Sequence, residues 1–250
     1  MRIILFIQYN GKNFCGWQIQ PNERTVQQEI EQAIFNLTGS RVNLSASGRT
    51  DSGVHALCQV AHFDYDGSIP PERFAPALNT MLPGDVKIIA SQKAPKDFHS
   101  RFSAKKKTYR YTFYVSEVEL PLYESFAERI EKVDLDKMNL ACEKIIGEHD
   151  FKCFLASNSS VKDTVRTVYS CKLKQKDRLI TLTISGNGFL YNMVRTIAGT
   201  LYFVGLGKIT PEEVGEIIAS KNRQKVGKTL PAKGLVLQKV EYKGVKTPKF

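Results

Sequence analysis

Gly48-Arg49-Thr50-Asp51-Ser52-Gly53-Val54-His55-Ala56 lies between two segments of alternating apolar residues, at about 41 to 47 and 54 to 65. Read as a loop joining two strands, it fixes the centre of the first half of the chain as a β-β step. Chain reversal alone asks only for a short turn of Gly, Asn or Asp. Here two glycines permit backbone angles closed to other residues, while a cation and a carboxylate stand two positions apart. The loop puts Asp51 at a sheet end, where a side chain can reach into a cleft.

Upstream of the loop, residues 2 to 10 read as a strand and not as a leader, because polar residues follow them instead of a cleavage site. A helix then starts at Thr25, with Gln28 at capping-box spacing. Val26, Ile30, Ala33, Ile34 and Leu37 form its apolar stripe and Gly39 its stop. Downstream, a short helix from about Pro71 carries Phe74, Ala77, Leu78 and Met81 on its inner face, before a strand near 86 to 93. The order is β-α-β-β-α-β.

The second half repeats it. A strand at about 107 to 115 precedes a helix at about 134 to 146, capped by Asp134 and stopped by Gly147, with Leu135, Met138, Cys142 and Ile145 facing the core. Val165, Thr167, Tyr169, Cys171 and Leu173 alternate as a half-buried strand, and Leu179 to Ser185 returns as its hairpin partner. A helix from about Tyr191 to Val204, a second from Thr210 with Pro211 and Glu213, and a strand near Leu235 to Tyr242 complete the chain. The fold class is therefore α+β: two tandem ferredoxin-like or RRM-like units with mainly antiparallel sheets and a central basic cleft. The expected division is 1–104, carrying the Asp51 loop, and 105–250, carrying an aromatic strand and an arginine helix.

Composition bounds the function. With 250 residues and 42% hydrophobic content the chain can bury a sizeable core, and no apolar run approaches the roughly 20 residues of a membrane span. Five widely spaced cysteines without a C-x-x-C pair read as reduced thiols of a cytoplasmic protein. The four histidines lack ligand spacing, so no metal is expected. Thirty-six Lys and Arg against 25 Asp and Glu give +11, which favours a polyanionic partner. The cations gather at Arg101, Lys105, Lys106 and Lys107, expected to contact RNA phosphates.

Next to the lysines, period two puts Tyr109, Tyr111 and Phe113 on one strand face; the sequence leaves open which are core and which stacks on a base. Gly186-Asn187-Gly188 then leads into a helix bearing Arg195 among apolar neighbours. A buried arginine needs an anion, either a structural carboxylate or Asp51.

These elements resemble the tRNA pseudouridine synthase A family. The likeness extends to Tyr9 to Gln20, Phe98 to Ala104, Gly147 to Phe151 and Gly234 to Leu237, and so through nearly the whole chain. The resemblance implies isomerisation of uridine to pseudouridine in the anticodon stem-loop of tRNA, at positions 38, 39 or 40, without cofactor or metal, by a homodimer. It implies Asp51 as the catalytic aspartate, Arg49 as the residue that helps extrude the base, Tyr109 stacked on the target uracil, and Arg195 paired with the aspartate. Ser52 stands where the family usually has alanine, a small-for-small change.

The chemistry agrees with that implication. A carboxylate with its ordinary pKa near ~4 is ionised at neutral pH and needs no activating base. Moving the glycosidic bond from nitrogen to carbon requires a detached uracil to turn while shielded from water. A stacked nucleotide must first be flipped out. Residue identity leaves open whether Asp51 attacks the ribose, attacks the uracil or removes a proton to give a glycal-like intermediate. Two other readings compete: a non-catalytic RNA-binding protein, although no RNP1 string is present, and a synthase acting on another RNA.

Overall fold

The computed structural model describes residues 1–156 and 161–248. In chain order its first elements are β1 (Arg2–Tyr9), α1 (Val26–Thr38), β2 (Ser45–Ala46), β3 (His55–Asp64), α2 (Phe74–Asn79), β4 (Val86–Lys93) and β5 (Ala104–Val115). There follow β6 (Glu128–Ile130), α3 (Leu135–Ile145), β7 (Gly147–Asp150), β8 (Val165–Lys176), β9 (Leu179–Gly186), α4 (Met193–Gly205), α5 (Glu213–Ser220) and β10 (Leu235–Tyr242). The protein is α+β, with mostly antiparallel strand pairing. No helix among the described residues is long and apolar enough to cross a membrane.

The chain forms two compact units, Met1–Lys107 with Val236–Phe250, and Thr108–Leu235. The sequence division at 104/105 leaves the last strand in the second half. In the structure β10 pairs in parallel with β3, Val236 opposite His55 and Leu237 opposite Ala56, and so folds with the first unit. Such a long-range pairing is invisible to a reading of consecutive segments.

In the first unit the strand order is β4-β1-β3, with β2 also on β3. Helix α1 starts where Thr25 Oγ1 accepts from Gln28 N at 3.4 Å and ends at Gly39, whose φ of 69° suits a residue without Cβ. Its buried stripe is Val26, Ile30, Ala33 and Ile34, with Leu37 half-buried. The expected strand at 41 to 47 shrinks to Ser45–Ala46, because only these residues pair with β3, opposite His62 and Ala61. Helix α2 ends at Asn79, so the helical phase does not reach Met81, which is exposed; Ala75 and Leu82 are buried instead.

In the second unit β5, β9, β8 and β7 are successive neighbours, and β6 lies parallel to β5. Asp134 caps α3 by accepting from Lys137 N at 3.0 Å, and Met138, Ala141, Cys142 and Ile145 are buried while Leu135 is only half so. The β8–β9 hairpin forms as expected, but its apolar phase does not hold throughout. The register shifts between Val168 and Ser170, so Val168 is buried before the shift and Cys171 and Leu173 after it; Val165 and Tyr169 are exposed. An irregularity of this kind flips the inward face of everything beyond it. At α5 the capping box closes in both directions, Thr210 N to Glu213 Oε2 at 2.6 Å and Glu213 N to Thr210 Oγ1 at 3.3 Å.

Candidate active site

The loop from Gly48 to Val54 leaves β2 and enters β3 with its backbone held from several sides. Ser47 Oγ donates to Gln59 Oε1 at 2.6 Å, and Gln59 Nε2 donates to Gly48 O at 2.9 Å. Lys107 Nζ donates to Ser47 O at 2.6 Å. Thr50 is buried, with its Oγ1 2.7 Å from the Tyr9 hydroxyl. The register between β1 and β3 shifts between Ile7 and Tyr9, a displacement that sets the position of this tyrosine.

A second segment, residues 11 to 17, packs on the same loop. Trp17 N donates to Thr50 O at 3.0 Å, Ser52 Oγ to Phe14 O at 3.2 Å, and Gly11 N to the buried His55 Nδ1 at 3.0 Å. Two glycines make the approach possible. A Cβ on Gly11 would lie 2.0 Å from Val54 O, and one on Gly16, where φ is 89°, 2.7 Å from Thr50 O. The sequence signal for this clamp was present in Tyr9 to Gln20, but only the structure shows what the glycines approach.

Within the clamped loop Val54 N donates to Asp51 O at 3.1 Å and Gly53 has φ of 79°. Asp51 is half-buried and Arg49 is exposed. Burial pushes the Tyr9 hydroxyl up to about 12, and the Asp51 charge acts in the same direction against its hydrogen bonds to Thr50 and Gln59. Tyr9 is therefore a neutral hydrogen-bonding group, and the immobilised element is a turn that presents one carboxylate and one solvent-facing cation.

Also in the first unit, Arg101 and Lys105 are exposed, and Lys106 Nζ is 3.5 Å from Glu241 Oε2. Of the expected phosphate-contacting cations, Lys106 and Lys107 thus also tie strands and loop together.

The second unit holds Tyr109 and Arg195. On β5 the structure separates the three aromatics: Tyr111 and Phe113 are fully buried, while Tyr109 is half-buried, edge-on to Phe189 with centroids 5.2 Å apart. Phe189 belongs to the turn before α4, where Asn192 takes a left-handed φ of 60° that asparagine tolerates. Arg195 donates through Nε to Leu230 O at 2.7 Å and through Nη1 to Asn192 Oδ1 at 2.7 Å. The Tyr111 hydroxyl donates to Pro231 O at 2.8 Å, so the segment 230–231 joins the aromatic strand to the arginine helix. That segment carries no motif and was missed in the sequence. It lies close because Gly199 admits it: a Cβ there would fall 1.8 Å from Lys228 O.

Among the described residues no group of three or more His, Cys, Asp or Glu is placed to hold a metal ion. The first unit offers a positioned carboxylate beside a solvent-facing cation, and the second, taken by itself, a half-exposed aromatic ring; a carboxylate of this kind can act as a nucleophile or a proton acceptor.

Comparison with known proteins gives a consistent result. The sequence matches the family model described as tRNA pseudouridine synthase over residues 5–103 and 141–243. It is 48% identical over 241 residues to tRNA pseudouridine synthase A of Caldicellulosiruptor bescii, covering 96% of this chain and 99% of that protein. Against the protein of the same name from Acetivibrio thermocellus it is 47% identical over 239 residues, with 95% and 98% covered. The corresponding figures for that of Geobacter sp. strain M21 are 44% over 242 residues, 96% and 98%.

Proposed function

The chain belongs to the tRNA pseudouridine synthase family, and on that premise we propose that it rearranges uridine in the anticodon stem-loop, at positions 38, 39 or 40, with Asp51 as the reacting carboxylate. It is an enzyme that isomerises uridine to pseudouridine in tRNA. Membership of an enzyme family sets aside the non-catalytic RNA-binding reading. The observation that carries the assignment to Asp51 is the clamp of residues 11 to 17 on its loop, which fixes the backbone of a half-buried carboxylate without occupying the exposed arginine beside it. Preorganisation of this kind serves chemistry that depends on placing one group against a turning base.

In this reading the N1–C1′ bond of uridine breaks, the uracil turns, C5 bonds to C1′ and the C5 proton leaves while N1 gains one. Substrate and product are isomers, so the balance needs no oxidant or reductant, and the proposal invokes neither cofactor nor metal. Arg49, exposed on the fixed turn, helps extrude the base. Tyr109 takes the stacking role; its partial exposure beside two fully buried rings supports that choice. Arg195 keeps the role of orienting the carboxylate that the resemblance implies, and Arg101, Lys105, Lys106 and Lys107 that of phosphate contacts.

The finer architecture belongs to the same proposal: tandem β-α-β-β-α-β units with open basic sheet faces for the RNA, in a cytoplasmic homodimer whose subunits both touch the tRNA. The order β4-β1-β3-β2 in the first unit supports it. The test is to map the modified positions in unmodified tRNA after reaction with the purified enzyme, by carbodiimide adduct and primer extension. Adducts at 38 to 40 are expected, and adducts confined to another arm would overturn the assignment of the site.

A further inference from the structure

We propose that the Phe102 ring is a stacking face for an unpaired base of the tRNA, with Arg101 and Lys105 as its phosphate contacts. The inference rests on the reading of tRNA as substrate and adds a binding residue outside the catalytic loop.

Phe102 is 74% exposed, which alone means little, since single exposed apolar side chains are common. Its support is unusual. Phe102 is the outer ring of a succession that runs from the interior: His62 is buried, His99 lies 4.8 Å from it, and Phe102 lies 4.4 Å from His99 at 39° between planes. The next ring position is open to solvent, and every nucleobase has a face that fits there.

The turn that carries the ring is immobilised. His99 N donates to Ser103 Oγ at 3.0 Å, Ser103 N to His99 O at 2.9 Å, and the amides of Arg101 and Phe102 to His99 Nδ1 at 3.1 and 3.4 Å. Accepting there places the ring hydrogen of His99 on Nε2. Ser100 N donates to His62 Nδ1 at 3.2 Å, and the Tyr242 hydroxyl donates to Ser100 O at 2.6 Å. The ring is thus presented on a backbone already fixed, which lowers the ordering cost of binding.

Charge and position select the occupant. Residues 96 to 107 hold five cations and one acid, Asp97. The Arg101 guanidinium lies 5.6 Å from the Phe102 centroid, a cation beside an aromatic face, the pairing that single-stranded nucleic acid sites use. Ser100 Oγ donates to Ser45 O at 2.5 Å, on the strand that runs into the Asp51 loop. Asp51 lies six positions beyond Ser45, so the anchor of the turn stands within about 22 Å of the residue that carries the reacting carboxylate. That is the reach of a few nucleotides in the same loop of RNA.

The test measures tRNA affinity and steady-state tritium release from C5-labelled tRNA for wild type, Phe102→Ala, Phe102→Leu and Phe102→Trp. The ring is exposed, so all four should melt alike. Phe102→Ala and Phe102→Leu should weaken binding and raise KM by about 5- to 100-fold with kcat at saturation retained, and Phe102→Trp should restore both. Affinity within twofold of wild type for Phe102→Ala, or a Leu variant as good as Trp, would overturn the stacking role. A change of sedimentation coefficient with tRNA affinity intact would instead make the ring a contact between copies of the chain and equally overturn it. If wild type itself neither binds nor modifies tRNA, the reading of the substrate fails first and this proposal with it.

Discussion

The Tyr9 hydroxyl meets the Thr50 hydroxyl at 2.7 Å in a buried position one residue ahead of Asp51. The pair links the end of the central strand β1 to the loop that carries the carboxylate, and the proposed reaction depends on Tyr9 through this backbone placement. Tyr9→Phe removes the link and leaves the Thr50 hydroxyl short of a buried partner. Stability should fall by about 1–2 kcal/mol. In steady-state tritium release kcat should fall several-fold while KM for tRNA stays within twofold; a selective rise in KM would show that Tyr9 serves binding.

Gly16 allows the clamp to close. Alanine there meets Thr50 O at 2.7 Å and must also hold a φ of 89°. The contact cannot yield easily, because Thr50 O belongs to the backbone, and the φ is one that residues with a Cβ rarely adopt. Gly16→Ala should cost roughly 2–4 kcal/mol in denaturant unfolding, and the folded fraction should turn over at least tenfold more slowly. Normal turnover in a destabilised variant would mean that the clamp supports the fold and not the site.

His62 predicts an acid-sensitive stability. Burial, helped by the nearby Arg2 and His99 charges, pulls its pKa down to about 4, whereas an unfolded histidine titrates near ~6.5. Between these values the unfolded chain binds a proton that the folded one refuses. Stability is therefore full above about 6.5 and declines as pH falls toward 4, by up to about 3 kcal/mol. Denaturant titrations at pH 7 and pH 4.5 should show a smaller acid loss for His62→Asn than for wild type; equal losses would remove His62 from the acid response.

Local chemistry makes much of this legible in the sequence alone. Thr25 and Gly39 bound α1, Asp134 caps α3, Thr210 and Glu213 close a capping box, and the β8–β9 hairpin lies where its alternation put it. What escaped depends on contacts distant in sequence. Nothing in residues 165 to 173 announces the register shift at Val168, since its cause lies in the pairing with β9. Gly11 and Gly16 read as loop glycines until Val54 O and Thr50 O appear beside them. Period two placed Tyr109, Tyr111 and Phe113 on one face, and only packing distinguished the accessible ring from the buried two.

Asp51 carries the central claim, and its isosteric amide is the most direct probe. Tritium release from C5-labelled uridine in unmodified tRNA should be lost in Asp51→Asn, by at least a thousandfold, while its tRNA affinity stays within a few-fold of wild type. Release at the wild-type rate from a variant confirmed by mass spectrometry to retain asparagine would contradict the account.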